Sequence, residues 1–373
     1  MGYSRSSIFR SFVVVVVVFV VLVVNVGNGQ LVPALFIFGD SVVDVGNNNH
    51  RLTLVKANFP PYGRDFQNHY PTGRFCNGKL ATDFIVEILG FTSYPPAYMD
   101  LKPRGKNLLN GTNFASAASG YLDATATLYN AVPLSHQLEY YKDCQNKLVE
   151  TAGQSKAASI ISDAIYIVTA GSSDFIQNFY INPLLNKVYT ADKFSDLLLQ
   201  RYSNFIQAWY VHLSKRILIF SNEQNLHALG ARRIGVTTLP PMGCLPACIT
   251  LFNPHSNECV SNFNNDAINF NAKLNATSQK LRQMLPGLNL VVLDIYQPLY
   301  DLVTKPQDYG FSEARKGCCG TGLVETAILC NKKSIGTCAN ATEYVFWDGL
   351  HPSEAANQVL ANDLLAAGIS LIS

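Results

Sequence analysis

Downstream of residue 30, short apolar runs bounded by Gly, Asn and Pro alternate with longer stretches in which apolar positions recur every three or four residues. Short runs fit buried strands and the longer period fits amphipathic helices, so their order predicts parallel βαβ units and a sheet covered on both faces. The candidate strands are Ala34 to Phe38, Ala164 to Ala170, Arg233 to Thr238 and Leu288 to Asp294, with Asn113 to Ser119 as a further candidate. Helical spacing covers Lys79 to Leu89, Ser135 to Glu150, Asp192 to Gln207 and, most clearly, Cys259 to Leu285. In that last segment Val260, Phe263, Ala267, Phe270, Leu274 and Leu281 share one face, and Pro286-Gly287 stops the helix. Packing against the sheet explains the stripe without a ligand. No repeat, low-complexity tract or long linker divides residues 30–373, which predicts one domain.

The N-terminus has a different pattern. Arg5 and Arg10 precede an unbroken apolar run from Phe12 to Val24, and Gly27-Asn28-Gly29 follows. This is the layout of a secretory signal over residues 1–29, with Gln30 as the mature start. A membrane anchor is the competing reading, but the run is shorter than the roughly 20 apolar residues a bilayer requires. Export agrees with three sequons, at Asn110, Asn275 and Asn340, which could carry glycans in the secretory pathway. It also agrees with nine cysteines, since disulfides persist in oxidising compartments. Metal binding is the rival use of those thiols, and it lacks a CxxC pair or a nearby histidine. Cys244 with Cys259 would close a short loop, and Cys318, Cys319, Cys330 and Cys338 can make two bridges. The odd count leaves at least one thiol free, with Cys76 and Cys144 as candidates. A net charge of +2 with 14% charged residues offers no basic stripe, which argues against a nucleic-acid partner.

Two clusters at opposite ends of the chain carry the candidate chemistry. Ser41 follows the strand Ala34 to Phe38 after Gly39-Asp40, so the chain leaves a buried strand and turns where the hydroxyl appears. Such a serine is either a helix N-cap or a nucleophile. Far downstream, Asp348-Gly-Leu-His351-Pro352 places an imidazole before a proline, which predicts a helix entrance at His351. Asp348, three residues earlier across a glycine turn, can reach one ring nitrogen and orient the ring, although a lone Asp-x-x-His is also a common surface pairing. Gly, Pro and Asn-rich loops after the first strand, including Pro60-Pro61-Tyr62-Gly63 and Pro71-Thr72-Gly73-Arg74-Phe75, would gather around a cleft at the strands' carboxyl ends.

Taken together, these residues resemble the GDSL, or SGNH, hydrolase family, and most closely its secreted plant esterase/lipase branch. The resemblance spans nearly all of the mature chain. It is carried by Phe36-Ile-Phe-Gly-Asp-Ser-Val-Val-Asp-Val-Gly-Asn-Asn-Asn49, Pro71-Thr-Gly-Arg-Phe-Cys-Asn-Gly78, Asn113-Phe-Ala-Ser-Ala-Ala-Ser-Gly120, Leu239-Pro-Pro-Met-Gly-Cys244 and Tyr344-Val-Phe-Trp-Asp-Gly-Leu-His-Pro352. The resemblance implies a three-layer α/β/α, flavodoxin-like SGNH hydrolase fold with a mainly parallel five-stranded sheet. It implies a secreted serine esterase or lipase, expected to act as a monomer on a small acyl ester with no cofactor and no metal. Ser41, Asp348 and His351 would form its triad, and the oxyanion would be held by the Ser41 N–H, by Gly120 (with Gly111 as the alternative) and by the residue at position 173.

Two departures from the family pattern stand out. The third block reads Thr169-Ala-Gly-Ser-Ser-Asp-Phe175, so Ser173 stands where the family has asparagine. Its hydroxyl is shorter and can donate one hydrogen bond. Ser173 makes a glycosylated binding protein with weak turnover one alternative to an esterase, and a transacylase using the same triad is another, because cleft shape and water access, not sequence, select the deacylating nucleophile. The second departure, Ala208 to Gln224, inserts a stretch between Phe205-Ile-Gln207 and Asn225-Leu226. It is expected to lengthen a helix or be poorly ordered, and no function is assigned to it.

Overall fold

Gly39, Thr169 and Thr237 end three neighbouring strands of a parallel sheet, and the site is built on that edge. The computed structural model describes residues 29–100, 105–219 and 230–373. Apart from Gly29, the proposed signal segment lies outside the described residues. The sheet contains β1 (Leu35–Gly39), β2 (Gly111–Asn113), β3 (Ile165–Thr169), β4 (Arg233–Thr237) and β5 (Asn289–Leu293) in the order β2-β1-β3-β4-β5, with every pairing parallel. This is the flavodoxin-like doubly wound order, whose chain reverses direction of growth between β1 and β3.

Strand alternation divides the core into two faces. Phe36 and Phe38 of β1, Tyr166 and Val168 of β3 and Ile234 and Val236 of β4 pack against α2 (Leu134–Ala152), α4 (Ala191–Ile219) and α5 (Ser261–Met284). On the opposite face, Leu35, Ile37, Ile165, Ile167 and Leu293 meet α1 (Ala81–Ile88) and α6 (Glu354–Ala367). Between α2 and β3 lies α3 (Gln154–Asp163). The expected three layers and five-stranded parallel sheet are therefore present.

Two local expectations are corrected, and a third is met. The second strand lies at Gly111–Asn113, not Asn113 to Ser119. The N–H groups of Phe114 and Ser116 still donate to the carbonyls of Ile37 and Gly39. Beyond Asn113, however, side chains take over from the ladder: Asn47 donates to the carbonyls of Asn113 and Ala115, Asn48 donates to that of Ala117, and Asp44 accepts the Ala117 N–H. At the other end of the chain, α6 starts after the N-cap Ser353, whose hydroxyl accepts the Ala356 N–H. Pro352 sits outside the helix in a β-bridge with Phe346, so His351 precedes the helix entrance by two residues. The expected lengthening of a helix is present, since α4 continues past Gln207 into the insertion as far as Ile219, while residues 220–224 lie outside the described residues.

A two-stranded parallel unit, β6 (Glu313–Gly317) with β7 (Tyr344–Phe346), delivers Trp347 and Asp348 to the edge of the main sheet. The bridges Cys318–Cys338 and Cys319–Cys330 staple the loop beside it, and Cys244–Cys259 closes another loop ahead of α5. Cys76, Cys144 and Cys248 are free and buried, which adds Cys248 to the two expected free thiols. Among the described residues, no helix is long and apolar enough to cross a membrane.

Candidate active site

The close approach of β1 to β3 determines how Ser41 is presented. A Cβ on Gly39 would lie 2.0 Å from the Thr169 carbonyl oxygen, and Gly39 has a φ of +142°, so the chain needs glycine there. Asp40 then donates its N–H to that same carbonyl, closing the strand before the turn. From the helix layer, Gln137 accepts the Gly39 N–H and donates to the Gly39 carbonyl, at 2.9 Å each. Held on both sides, the backbone turns and leaves the Ser41 side chain half-buried at the strand's carboxyl end.

The C-terminal cluster closes on it across 310 residues of sequence: the Ser41 Oγ lies 2.7 Å from His351 Nε2. His351 Nδ1 lies 2.8 Å and 2.9 Å from the two carboxylate oxygens of Asp348. Asp348 also accepts from the N–H groups of Leu350 and His351 and from the hydroxyls of Tyr62 and Thr326. Encircled by donors, it accepts the Nδ1 proton, which leaves Nε2 with a lone pair facing the serine hydroxyl. The arrangement can pass a proton from Ser41 to His351 while Asp348 holds the ring. Phe75 packs beside the imidazole with ring centroids 5.0 Å apart, which further limits its orientations.

Tyr62, Thr326 and Gln137 were not singled out by sequence reasoning. Tyr62 is fully buried; burial first, and then the neighbouring Asp348 charge, push its phenol far upward, so it stays a donor. It also accepts the Ala327 N–H, which ties Asp348 to the loop stapled by Cys319–Cys330. The aromatic after the Pro60-Pro61 pair was the available signal, but its partner lies 286 residues away.

Gly120 and Ser173 sit on segments joined through Asp174. Asp174 accepts the N–H groups of Tyr121 and Leu122 and the Thr125 hydroxyl. A Cβ at Gly120 would collide with the Asp174 carboxylate at 2.3 Å. Among the described residues, no hydrogen bond occupies the N–H of Ser41 or of Gly120. Ser173 is buried at the start of the turn that carries Asp174, and its neighbour Ser172 donates to Asp40 at 2.9 Å. Gly111, the alternative glycine, lies at the other end of its segment in β2, where a Cβ would meet the Leu35 carbonyl at 2.0 Å. It pairs with Leu35 of β1. Of the sequon asparagines, Asn275 and Asn340 are exposed, the former within α5, and Asn110 is half-buried before β2.

The sequence model of the family described as "GDSL-like Lipase/Acylhydrolase" matches residues 35–364. Among curated relatives, "GDSL esterase/lipase At5g22810" of Arabidopsis thaliana is 65% identical over 92% of this chain and 91% of its own length. "GDSL esterase/lipase At5g03810" of the same plant is 60% identical over 94% of this chain and 95% of its own. "GDSL esterase/lipase APG", also from Arabidopsis thaliana, is 56% identical over 97% of this chain and 98% of its own.

Tyr62→Phe leaves the Ala327 N–H without its acceptor and Asp348 without one donor, and should destabilise the protein by about 1–3 kcal/mol, read as a lower urea midpoint at unchanged m value. Separately, burial pushes the carboxyls of Asp40 and Asp44 up to about 6 and that of Asp174 up to about 7, from an ordinary value of 3.8. In that window the folded state retains protons that the unfolded chain has released, so stability falls as pH rises through about 6 to about 7. The urea midpoint should therefore be higher at pH 5 than at pH 8; an equal or lower midpoint at pH 5 would contradict this.

Proposed function

The chain belongs to the GDSL-like lipase/acylhydrolase family and is a carboxylic ester hydrolase, and on that premise we propose that it works as a secreted serine esterase through an acyl-enzyme on Ser41. The observation that carries this reading is the continuous chain of contacts from Ser41 Oγ to His351 to Asp348. His351 Nε2 takes the hydroxyl proton as Oγ attacks the ester carbonyl. The tetrahedral oxyanion is held by the N–H groups of Ser41 and Gly120 and by the Ser173 hydroxyl. Collapse expels the alcohol, which receives the proton from His351 and leaves the acyl group on Ser41. Water then attacks the acyl-enzyme, with His351 again taking the proton; the acid leaves and the serine hydroxyl is restored.

The unoccupied N–H groups of Ser41 and Gly120 support this oxyanion assignment, because a donor already paired to protein could not strengthen its bond as negative charge develops. Residues 1–29 act as the signal in this reading, and residues 30–373 form the single exported domain, with the insertion 208–224 largely an extension of α4. The destination is extracellular, the apoplast or cell wall, with glycans on Asn110, Asn275 and Asn340.

A fluorophosphonate should label the purified protein and fail to label Ser41→Ala; labelling that persists in the variant removes Ser41 from this role. For the oxyanion, Ser173→Ala should lower kcat by about 10² to 10³-fold with KM nearly unchanged. Full turnover in that variant would show that the two backbone donors suffice.

A further inference from the structure

A small cavity lies over the carboxyl ends of β3, β4 and β5, on the sheet face covered by α1 and α6, with a volume of about 80 Å³. Its lining includes chain neighbours of the proposed triad: Val42, which follows Ser41, and Leu350 and Pro352, which flank His351. Apart from a few hydroxyls and one amide, its walls are apolar side chains, among them Ile85, Ile167, Leu293 and Leu364.

These walls do not form a finished core. Thr82, Thr169 and Thr237 all line the cavity, are buried to 4%, 6% and 4% exposure, and have hydroxyls with no hydrogen-bond partner among the described residues. A region closed for packing alone would be expected to carry valine at such positions, since an unpaired buried hydroxyl is destabilising and valine has nearly the same shape. Three such residues around one void that is also lined by Val42, the residue after Ser41, mark it as a place that receives something.

We infer that this cavity is the acyl pocket of the enzyme and that it accepts short chains of a few carbons. The inference rests on Ser41 being the nucleophile, and it adds the substrate class. Volume decides the chain length: about 80 Å³ is roughly half of the engineered apolar cavity that just holds benzene. A long fatty chain does not fit without displacing core side chains. Beyond the cavity lies a second void of about 30 Å³ toward the amino ends of the strands, bordered by Leu35, Ile165 and Leu371. Ile85, Ile167, Leu293 and Leu364 line both voids and so form the partition between them. Trimming that partition should lengthen the chain the enzyme accepts.

The test is a series of p-nitrophenyl esters from acetate to dodecanoate, run on the wild type, Ile85→Ala, Leu364→Ala and Ile85→Phe, with each protein also titrated by fluorophosphonate. In the wild type, kcat/KM should be highest at butyrate or shorter and at least tenfold lower by octanoate. Either alanine variant should move the optimum to longer chains, and Ile85→Phe should lose butyrate relative to acetate. An equal preference for dodecanoate in the wild type, or one unchanged profile across all variants that still label, overturns the pocket. Loss of labelling in the wild type would instead overturn Ser41 as nucleophile, which keeps the two failures apart. Thermal unfolding of each variant identifies any that do not fold, and the remaining variant then carries the comparison.

Discussion

The geometry of the site depends on how closely the backbones of β1 and β3 approach at Gly39 and Thr169. No side chain fits between them, and the Thr169 carbonyl takes the Asp40 N–H at the point where the strand ends. This is the switch point of a doubly wound sheet, where successive strands diverge to opposite sides and leave a crevice above their carboxyl ends. Ser41 sits there because a hydrogen bond stops the strand at Asp40, and a glycine allows the turn.

The rest of the assembly holds distant segments against that edge. The polar run Asp44, Asn47 and Asn48 fastens the 113–117 segment, and Asp174 fastens the segment that continues through Gly120 to Thr125. Arg74, in a buried bidentate pair with Asp83, anchors the Pro71–Gly78 block to the start of α1. Asn77 in that block accepts the Glu354 N–H, fixing the start of the helix that follows His351. The motifs that look like signatures of chemistry are thus mostly braces. Only a few of their side chains belong to the Ser41–His351–Asp348 contact chain, and the rest set distances between elements that are remote in sequence. Burying so many polar groups is tolerable because nearly every one is paired, a requirement that itself limits which residues can stand there.

The charged groups follow the same logic. Asp40, Asp44 and Asp174 are all fully buried near the strand ends, and desolvation raises each of them against the hydrogen bonds that favour the ionised form. Near the serine, then, these carboxyls protonate more readily than exposed ones, a consequence of burying them for their hydrogen bonds.

Much of the architecture was readable from local pattern. Four of the five main strands, the four long helices and the parallel arrangement follow from short-range periodicity, because burial on a sheet face or a helix stripe imposes its period on the residues themselves. Ser41, Asp348 and His351, which the fold brings into contact, could be picked out because each sits in a short run whose spacing has a chemical reason. What one dimension could not supply were the pairings that span the chain: Tyr62 with Asp348, Gln137 with Gly39, and the disulfide partners among the four C-terminal cysteines. The strand that replaced Asn113 to Ser119 was misplaced for the same cause, since side chains from residues 44–48 compete for its hydrogen bonds, and the start of α6 was decided by a Ser353 cap and a bridge to Phe346. Each of those outcomes depends on which groups the folded chain brings within about 3 Å, a fact that belongs to the packed molecule and to no single segment of it.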